Sequence, residues 1–226
     1  MLNHILLLGH RGARRYAPEN TFAAFDLALE QGADGFEFDV RFTRSRELVI
    51  CHDPRFNRLP VRRSTLRELE AACTAEEEFP PVLPEVLDRY SRRAFLNLEV
   101  KIRGIEPLIH RLVTGIPPRR GYFISSFHPS VIRKLHQIDS SLVLGTISQT
   151  RWQLRRWEKL PAIYVVAHSR LVSRRLVEEV HAAGKRLVTW TVNRPRQMLR
   201  LADLGVDGII SDDPKLLVET LKRRAV

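Results

Sequence analysis

Cysteine is scarce in this chain, with only Cys51 and Cys73 among 226 residues, so no disulfide framework holds it and a reducing compartment is expected. Long apolar runs are also missing. Nothing approaches the roughly 20 residues that span a bilayer, and Ile5-Leu6-Leu7-Leu8 is too short for the core of a secretory signal. The expectation is a soluble, cytoplasmic protein. There is no internal repeat, no low-complexity linker, and no G-x-G-x-x-G turn at the first strand–helix junction.

What the chain has in excess is arginine. Lys+Arg total 37 against 26 Asp+Glu, a net charge of +11 that suggests an acidic partner such as nucleic acid, an anionic membrane or a phosphate substrate. Arg62-Arg63, Arg92-Arg93, Arg119-Arg120, Arg155-Arg156, Arg174-Arg175 and Arg223-Arg224 are scattered, which favours a generally basic, solvated surface. No block resembles a nucleic-acid-binding arm, and no aromatic run offers a stacking platform, so a nucleic-acid partner is not expected. Membrane association finds no apolar docking helix to support it. The composition, 44% apolar and 28% charged, excludes disorder.

Short apolar runs alternate with amphipathic ones. Strands are expected at Ile5–Gly9, Gly35–Val40, Ala94–Val100, Tyr122–Ser126, Leu142–Ile147, Ile163–Ala167, Arg186–Val192 and Gly208–Ser211. Helical spacing marks Thr21–Gln31, Ser64–Ala72, Pro84–Tyr90, Pro129–Ile138, Ser173–Ala183, Pro195–Leu204 and Pro214–Arg223. Glu47–His52 follows the second strand after only four polar residues, too few for a crossover, and reads as a hairpin return. Eight strand–helix units in this length predict an α/β fold, a (β/α)8 barrel in one domain over residues 1–226. Residues 53–81 form a small insertion at the active face. An open doubly wound sheet is the alternative.

In such a barrel, catalytic groups sit at the C-terminal ends of strands. There the sequence places His10-Arg11, Glu37 and Asp39, His52-Asp53, and Glu99 with Lys101. Glu37 and Asp39 are two apart and leave one face of their strand, while Phe36, Phe38 and Val40 face the helices. Converging carboxylates repel unless a cation or a shared proton intervenes. With Glu99 as a third oxygen donor and no cysteine, the set suits Mg²⁺ or Ca²⁺ over zinc. A network in which Arg11 and Lys101 neutralise the carboxylates, with no metal, accounts for the same spacing. His10 and His52 fit complementary proton transfers, one taking a proton from an attacking hydroxyl and the other giving one to a leaving oxygen. Asn20, just before a helical run, reads as its N-cap, and His128 and His168 follow strands as candidate pocket residues.

The segments His10-Arg11-Gly12, Pro18-Glu19-Asn20-Thr21, Ala24-Phe25, Gly32 to Val40 and His52-Asp53 occur in that order. They are followed by Leu83-Pro84-Glu85, Leu98 to Lys101, Ser125 to Phe127, Thr189 to Asn193 and Gly205 to Pro214. In this combination, over nearly its whole length, the chain resembles the glycerophosphodiester phosphodiesterase family.

The resemblance implies metal-dependent hydrolysis of glycerophosphodiesters to glycerol 3-phosphate and an alcohol. His10 and His52 become the acid/base pair, and Glu37, Asp39 and Glu99 the ligands of a divalent cation. Arg11 and Lys101 contact the phosphate, and Trp190 forms an apolar wall against the glycerol or alcohol. A lysophospholipid-directed phosphodiesterase and a non-catalytic phosphate-binding barrel are the alternatives on the same fold. The chain departs from the family at Ser45-Arg46, where an acidic residue and a glycine are usual, and at Arg58-Leu59-Pro60, where Arg-Thr-Thr is usual. Both positions border the expected substrate mouth.

Overall fold

The computed structural model describes residues 5–73 and 79–222; His4, Arg223-Arg224 and residues 74–78 of the expected insertion lie outside the described residues. In chain order the strands are β1 (Leu6–His10), β2 (Gly35–Phe42), β3 (Leu48–Ile50), β4 (Arg55–Phe56), β5 (Leu59–Pro60), β6 (Phe95–Val100), β7 (Tyr122–Ser126), β8 (Leu144–Ser148), β9 (Tyr164–His168), β10 (Arg186–Trp190) and β11 (Gly208–Ser211). The helices are α1 (Phe22–Glu30), α2 (Leu66–Ala71), α3 (Leu83–Tyr90), α4 (Glu106–Gly115), α5 (Pro129–Ile138), α6 (Arg151–Leu154), α7 (Arg174–Ala182), α8 (Pro195–Leu204) and α9 (Pro214–Lys222).

Eight strands run parallel in the order β1-β11-β10-β9-β8-β7-β6-β2, and β1 also pairs with β2, so the sheet closes on itself as a barrel. The strand β3 returns antiparallel along the outer end of β2, with Val40 opposite Ile50, as the short connection requires. The segment between β3 and α3 carries the two-stranded β4–β5 ribbon and α2. Among the described residues no helix is long and apolar enough to cross a membrane.

Alternation along β2 sorts its side chains between two apolar layers. Phe36, Phe38 and Val40 pack outward against Phe25 and Tyr90 of the helices, with the Phe25 and Phe36 rings stacked at 4.2 Å. A separate cluster that includes Leu8, Phe123, Tyr164, Val188 and Ile210 fills the barrel interior. Three helices, α5, α8 and α9, begin on a proline, whose fixed φ suits the first helical position.

Two local readings need correction. The N-cap of α1 is Thr21, whose hydroxyl accepts from the Ala24 N–H, while Asn20 lies in the left-handed region at φ 62° with its side chain turned elsewhere. The helix α4 is absent from the sequence-based set. Its Pro107 and terminal Gly115 break the helical signal, which its buried Ile109 and Val113 override by packing on the barrel.

Gly35 sets the spacing of β2 and β6. A Cβ at this position would lie 1.8 Å from the Phe95 carbonyl oxygen, a backbone atom that cannot step aside. Gly35→Ala is therefore expected to lose at least about 3 kcal/mol of unfolding free energy, measured as the urea midpoint. An unchanged midpoint would show that the strands tolerate a wider gap.

Candidate active site

Register brings the ionisable strand residues to one level of the barrel. His10 is opposite Glu37 across β1–β2, and Asp39 is opposite Glu99 across β2–β6. Glu37, Asp39 and Glu99 are all buried, and each offers an oxygen within 4.8 Å of the others. Glu37 and Glu99 border a cavity of about 210 Å³ together with His10, His52, Lys101 and Trp190, with Asp39 buried behind them.

Two cations enter this acidic cluster. The Arg11 guanidinium has Nε 3.1 Å from Asp39 Oδ2, and it donates through Nη1 to Glu19 at 2.8 Å. The Lys101 ammonium is 2.6 Å from Glu99 Oε1 and 3.2 Å from Asp39 Oδ1. The first loop wraps around the same carboxylates. Arg11 sits at φ 55°, a left-handed conformation that costs roughly 1–3 kcal/mol for a non-glycine residue, and from there its backbone N–H donates to Glu37 Oε2 at 3.0 Å. Asn20 grips Asp39 twice, donating from Nδ2 to Oδ2 at 3.0 Å and accepting the Asp39 N–H on Oδ1. This grip explains the left-handed backbone at Asn20 that helix capping did not.

Even so, each carboxylate keeps one buried oxygen with no aligned hydrogen bond: Glu37 Oε1, Asp39 Oδ1 and Glu99 Oε1. Lys101 lies against the last two and neutralises part of their charge, most closely at Glu99, while Glu37 Oε1 has no cation beside it in the ion pairs of the described residues. Burial drives the Glu37 carboxyl well above the usual carboxylate range, reinforced by Asp39 and Glu99. Burial and the Asp39 charge push Glu99 up to about 7 against the pull of Lys101. Burial would raise Asp39 as well, but Lys101, Arg11 and the Asn20 amide outweigh it and hold Asp39 below its ordinary value. Buried carboxylates raised above their ordinary range are what an all-oxygen cation site shows when its own residues supply too little positive charge.

Each histidine has its own carboxylate outside the cluster. His10 Nδ1 is 2.6 Å from Asp212 Oδ1, and Asp212 is held by Asn193, which donates from Nδ2 at 2.6 Å and accepts the Asp212 N–H. Burial would raise the Asp212 carboxyl, but the bond to His10 dominates and holds it low, which makes Nδ1 the protonated nitrogen and leaves His10 Nε2 on the Glu37 side at 3.9 Å. His52 Nδ1 is 2.8 Å from Asp53 Oδ1, and Arg41 clamps the His52 carbonyl with two donors at 2.8 and 2.6 Å. Burial, helped by Arg11 and Lys101, lowers the His52 imidazole below its ordinary value despite the pull of Asp39.

All eight residues singled out from the sequence thus meet at one end of the barrel. Trp190 lies opposite the carboxylates, with Phe127 and His168 edge-on to its ring at 5.6 and 5.4 Å. His168 therefore supports the wall without lining the cavity, and His128 occupies the N-cap of α5. Asp212, Asn193 and Arg41 were not singled out. The Asp212-Asp213-Pro214 stretch reads locally as a helix start, and only closure of the ring carries Asp212 to His10.

The model of the glycerophosphoryl diester phosphodiesterase family matches residues 10–216. A glycerophosphodiester phosphodiesterase of Caldanaerobacter subterraneus subsp. tengcongensis is 32% identical, with 96% of this chain and 98% of that protein aligned. Among solved structures, a phosphodiesterase of Oleispira antarctica in complex with the product sn-glycerol-3-phosphate has a TM-score of 0.82 and 25% identity, covering 95% of this chain and 96% of that one. A glycerophosphodiester phosphodiesterase from Parabacteroides distasonis shares the fold at a TM-score of 0.87 and 22% identity, with 99% of each chain covered.

The raised Glu99 carboxyl gives a signed prediction for metal-free protein. An acid held at about 7 in the fold, against roughly 4.3 in the unfolded chain, costs stability progressively as pH rises across that window. The melting temperature of the wild type relative to Glu99→Gln should fall between pH 5 and pH 8, and an added divalent cation should restore more of it at the upper end. Parallel profiles with and without the cation would place no ion at these carboxylates.

Proposed function

The chain belongs to the glycerophosphoryl diester phosphodiesterase family, and we propose how its site hydrolyses glycerophosphodiesters to sn-glycerol 3-phosphate and an alcohol. The observation that carries the reading is the cavity in which two carboxylate-paired histidines flank three buried carboxylates with unclaimed oxygens. We take residues 1–226 as one unit, with 53–81 as an insertion beside the site.

Glu37, Asp39 and Glu99 would hold one divalent cation, Mg²⁺ or Ca²⁺, since all three are hard oxygen donors. When bound, the cation offsets the negative charge of the phosphodiester and of its transition state. The protein's own part starts with charge and position. Arg11 and Lys101, placed beside the carboxylates, would meet the non-bridging phosphate oxygens. Trp190 and Phe127 present an apolar face to the glycerol.

Proton transfer follows from which ring nitrogens are free. The Asp212 carboxylate accepts a hydrogen bond from the Nδ1–H of His10, so the lone pair of Nε2 faces the cavity and removes the proton of the attacking hydroxyl. His52 protonates the leaving oxygen. It also borders a second hollow, flanked by Ile50, Phe56 and Pro80, which suits the departing alcohol. Its lowered pKa makes the protonated ring a stronger acid.

His10→Ala and His52→Ala should each lose about 10²–10⁴-fold in kcat. Full activity in His52→Ala would sink the assignment, and turnover that survives exhaustive chelation would sink the cation. Asp212→Asn presents an amide N–H to His10 Nδ1 and so selects the wrong tautomer. Its kcat should drop about as far while KM and the melting temperature stay near wild type, and wild-type kcat would remove Asp212 from the mechanism.

A further inference from the structure

Charge on this chain is not confined to one face, because arginines are exposed at both ends of the barrel, as Arg15 and Arg119 illustrate. The exposed aromatics are more selective. Four large apolar side chains are exposed among the described residues: Tyr16, Trp152, Ile163 and Leu199. The two aromatic ones belong to loops at the C-terminal ends of strands, the face that carries the site. Tyr16 follows β1 and Trp152 follows β8. Trp152 is 64% exposed on the single-turn α6, three residues beyond Gln149, which borders the catalytic cavity. Its ring carries the Arg156 guanidinium 3.4 Å from its centroid.

The surroundings of Trp152 are cationic. Arg151, Arg155 and Arg170, all exposed, border one cleft beside α6. The cleft also holds Glu158, and Arg175 paired with Glu179, so that four arginines there face two carboxylates. Among the ion pairs of the described residues none involves Arg151, Arg155, Arg170 or Arg156. An indole left in water under a guanidinium, next to unneutralised arginines, has the composition of a membrane-interface anchor: an amphipathic ring for the headgroup level and positive charge for lipid phosphates. Nucleic acid is the poorer fit, because binding a strand takes successive exposed aromatic rings along a groove, and among the described residues Trp152 is the one exposed tryptophan, beside a cleft whose own tryptophan, Trp157, is buried.

We propose that the β8–β9 rim docks on an anionic phospholipid bilayer, with Trp152 inserted at the headgroup level and Arg151, Arg155 and Arg170 on lipid phosphates. The catalytic mouth then opens beside the membrane surface. The docking face is distinct from the reacting groups, so its test does not depend on turnover.

Sedimentation with vesicles tests it. Wild-type protein should pellet with phosphatidylcholine–phosphatidylglycerol vesicles at low salt, and not with pure phosphatidylcholine. Each arginine near an anionic surface contributes about fivefold to partitioning, so Arg151→Ala with Arg155→Ala should weaken binding about 25-fold. Brominated lipid should quench the wild-type tryptophan emission and leave Trp152→Phe unquenched, since Trp157 is buried and Trp190 lines the catalytic cavity. These variants should hydrolyse soluble glycerophosphocholine at the wild-type rate. The proposal is overturned by absent or charge-independent vesicle binding, by variants that bind as the wild type does, or by duplex DNA that displaces vesicles through the same arginines while Trp152→Phe is quenched like the wild type.

Discussion

Three carboxylates forced into one dry space are the constraint around which the rest of this molecule is arranged. The β2–β6 register sets Asp39 directly beside Glu99, and the β1–β2 register sets Glu37 beside His10. The contact between Asp39 and Glu99 would not persist in isolation, because like charges in a low-dielectric interior repel strongly. Arg11, Lys101 and Asn20 are the response: two buried cations and a double amide grip, all directed at Asp39. The first loop owes its shape to this need. Left-handed backbone at Arg11 and Asn20 is strain that only these bonds return.

The compensation is incomplete, and its incompleteness is chemically useful. Asp39 receives most of the positive charge and is held below its ordinary value, while burial and neighbouring carboxylates raise Glu37 and Glu99. The same cations depress His52, so electrostatics that begin as structural repair reach the proton-transfer groups. Packing supplies the rigidity. Phe36 and Phe38, locked into the aromatic layer behind β2, keep Glu37 and Asp39 aimed inward.

How much of this was legible beforehand depended on range. Alternation in Gly35–Val40 gave the inward face of Glu37 and Asp39, because a period of two is a local property. The eight strand–helix units were readable for the same reason, apart from two helices: the single-turn α6, and α4, where Pro107 and Gly115 mask a helix that packing stabilises. Long-range partners were another matter. Asn20 reads as a cap from its neighbours and is a ligand of Asp39 in space. Asp212 reads as the turn before Pro214, and its bond to His10 spans 202 positions. No pattern of neighbouring residues encodes a contact that exists only after the barrel has closed.

That contact sits on the seam where the last strand meets the first. A nascent chain that has emerged as far as β10 already contains both histidines, all three acidic residues, Arg11 and Lys101. It lacks β11, and so lacks the strand that hydrogen-bonds β1 and the carboxylate that orients His10. A barrel stopped at β10 is therefore open at this seam, and its His10 has no carboxylate at Nδ1. The hydrogen bond between His10 and Asp212 thus ties the orientation of one imidazole ring to closure of the whole barrel, across 202 positions of chain.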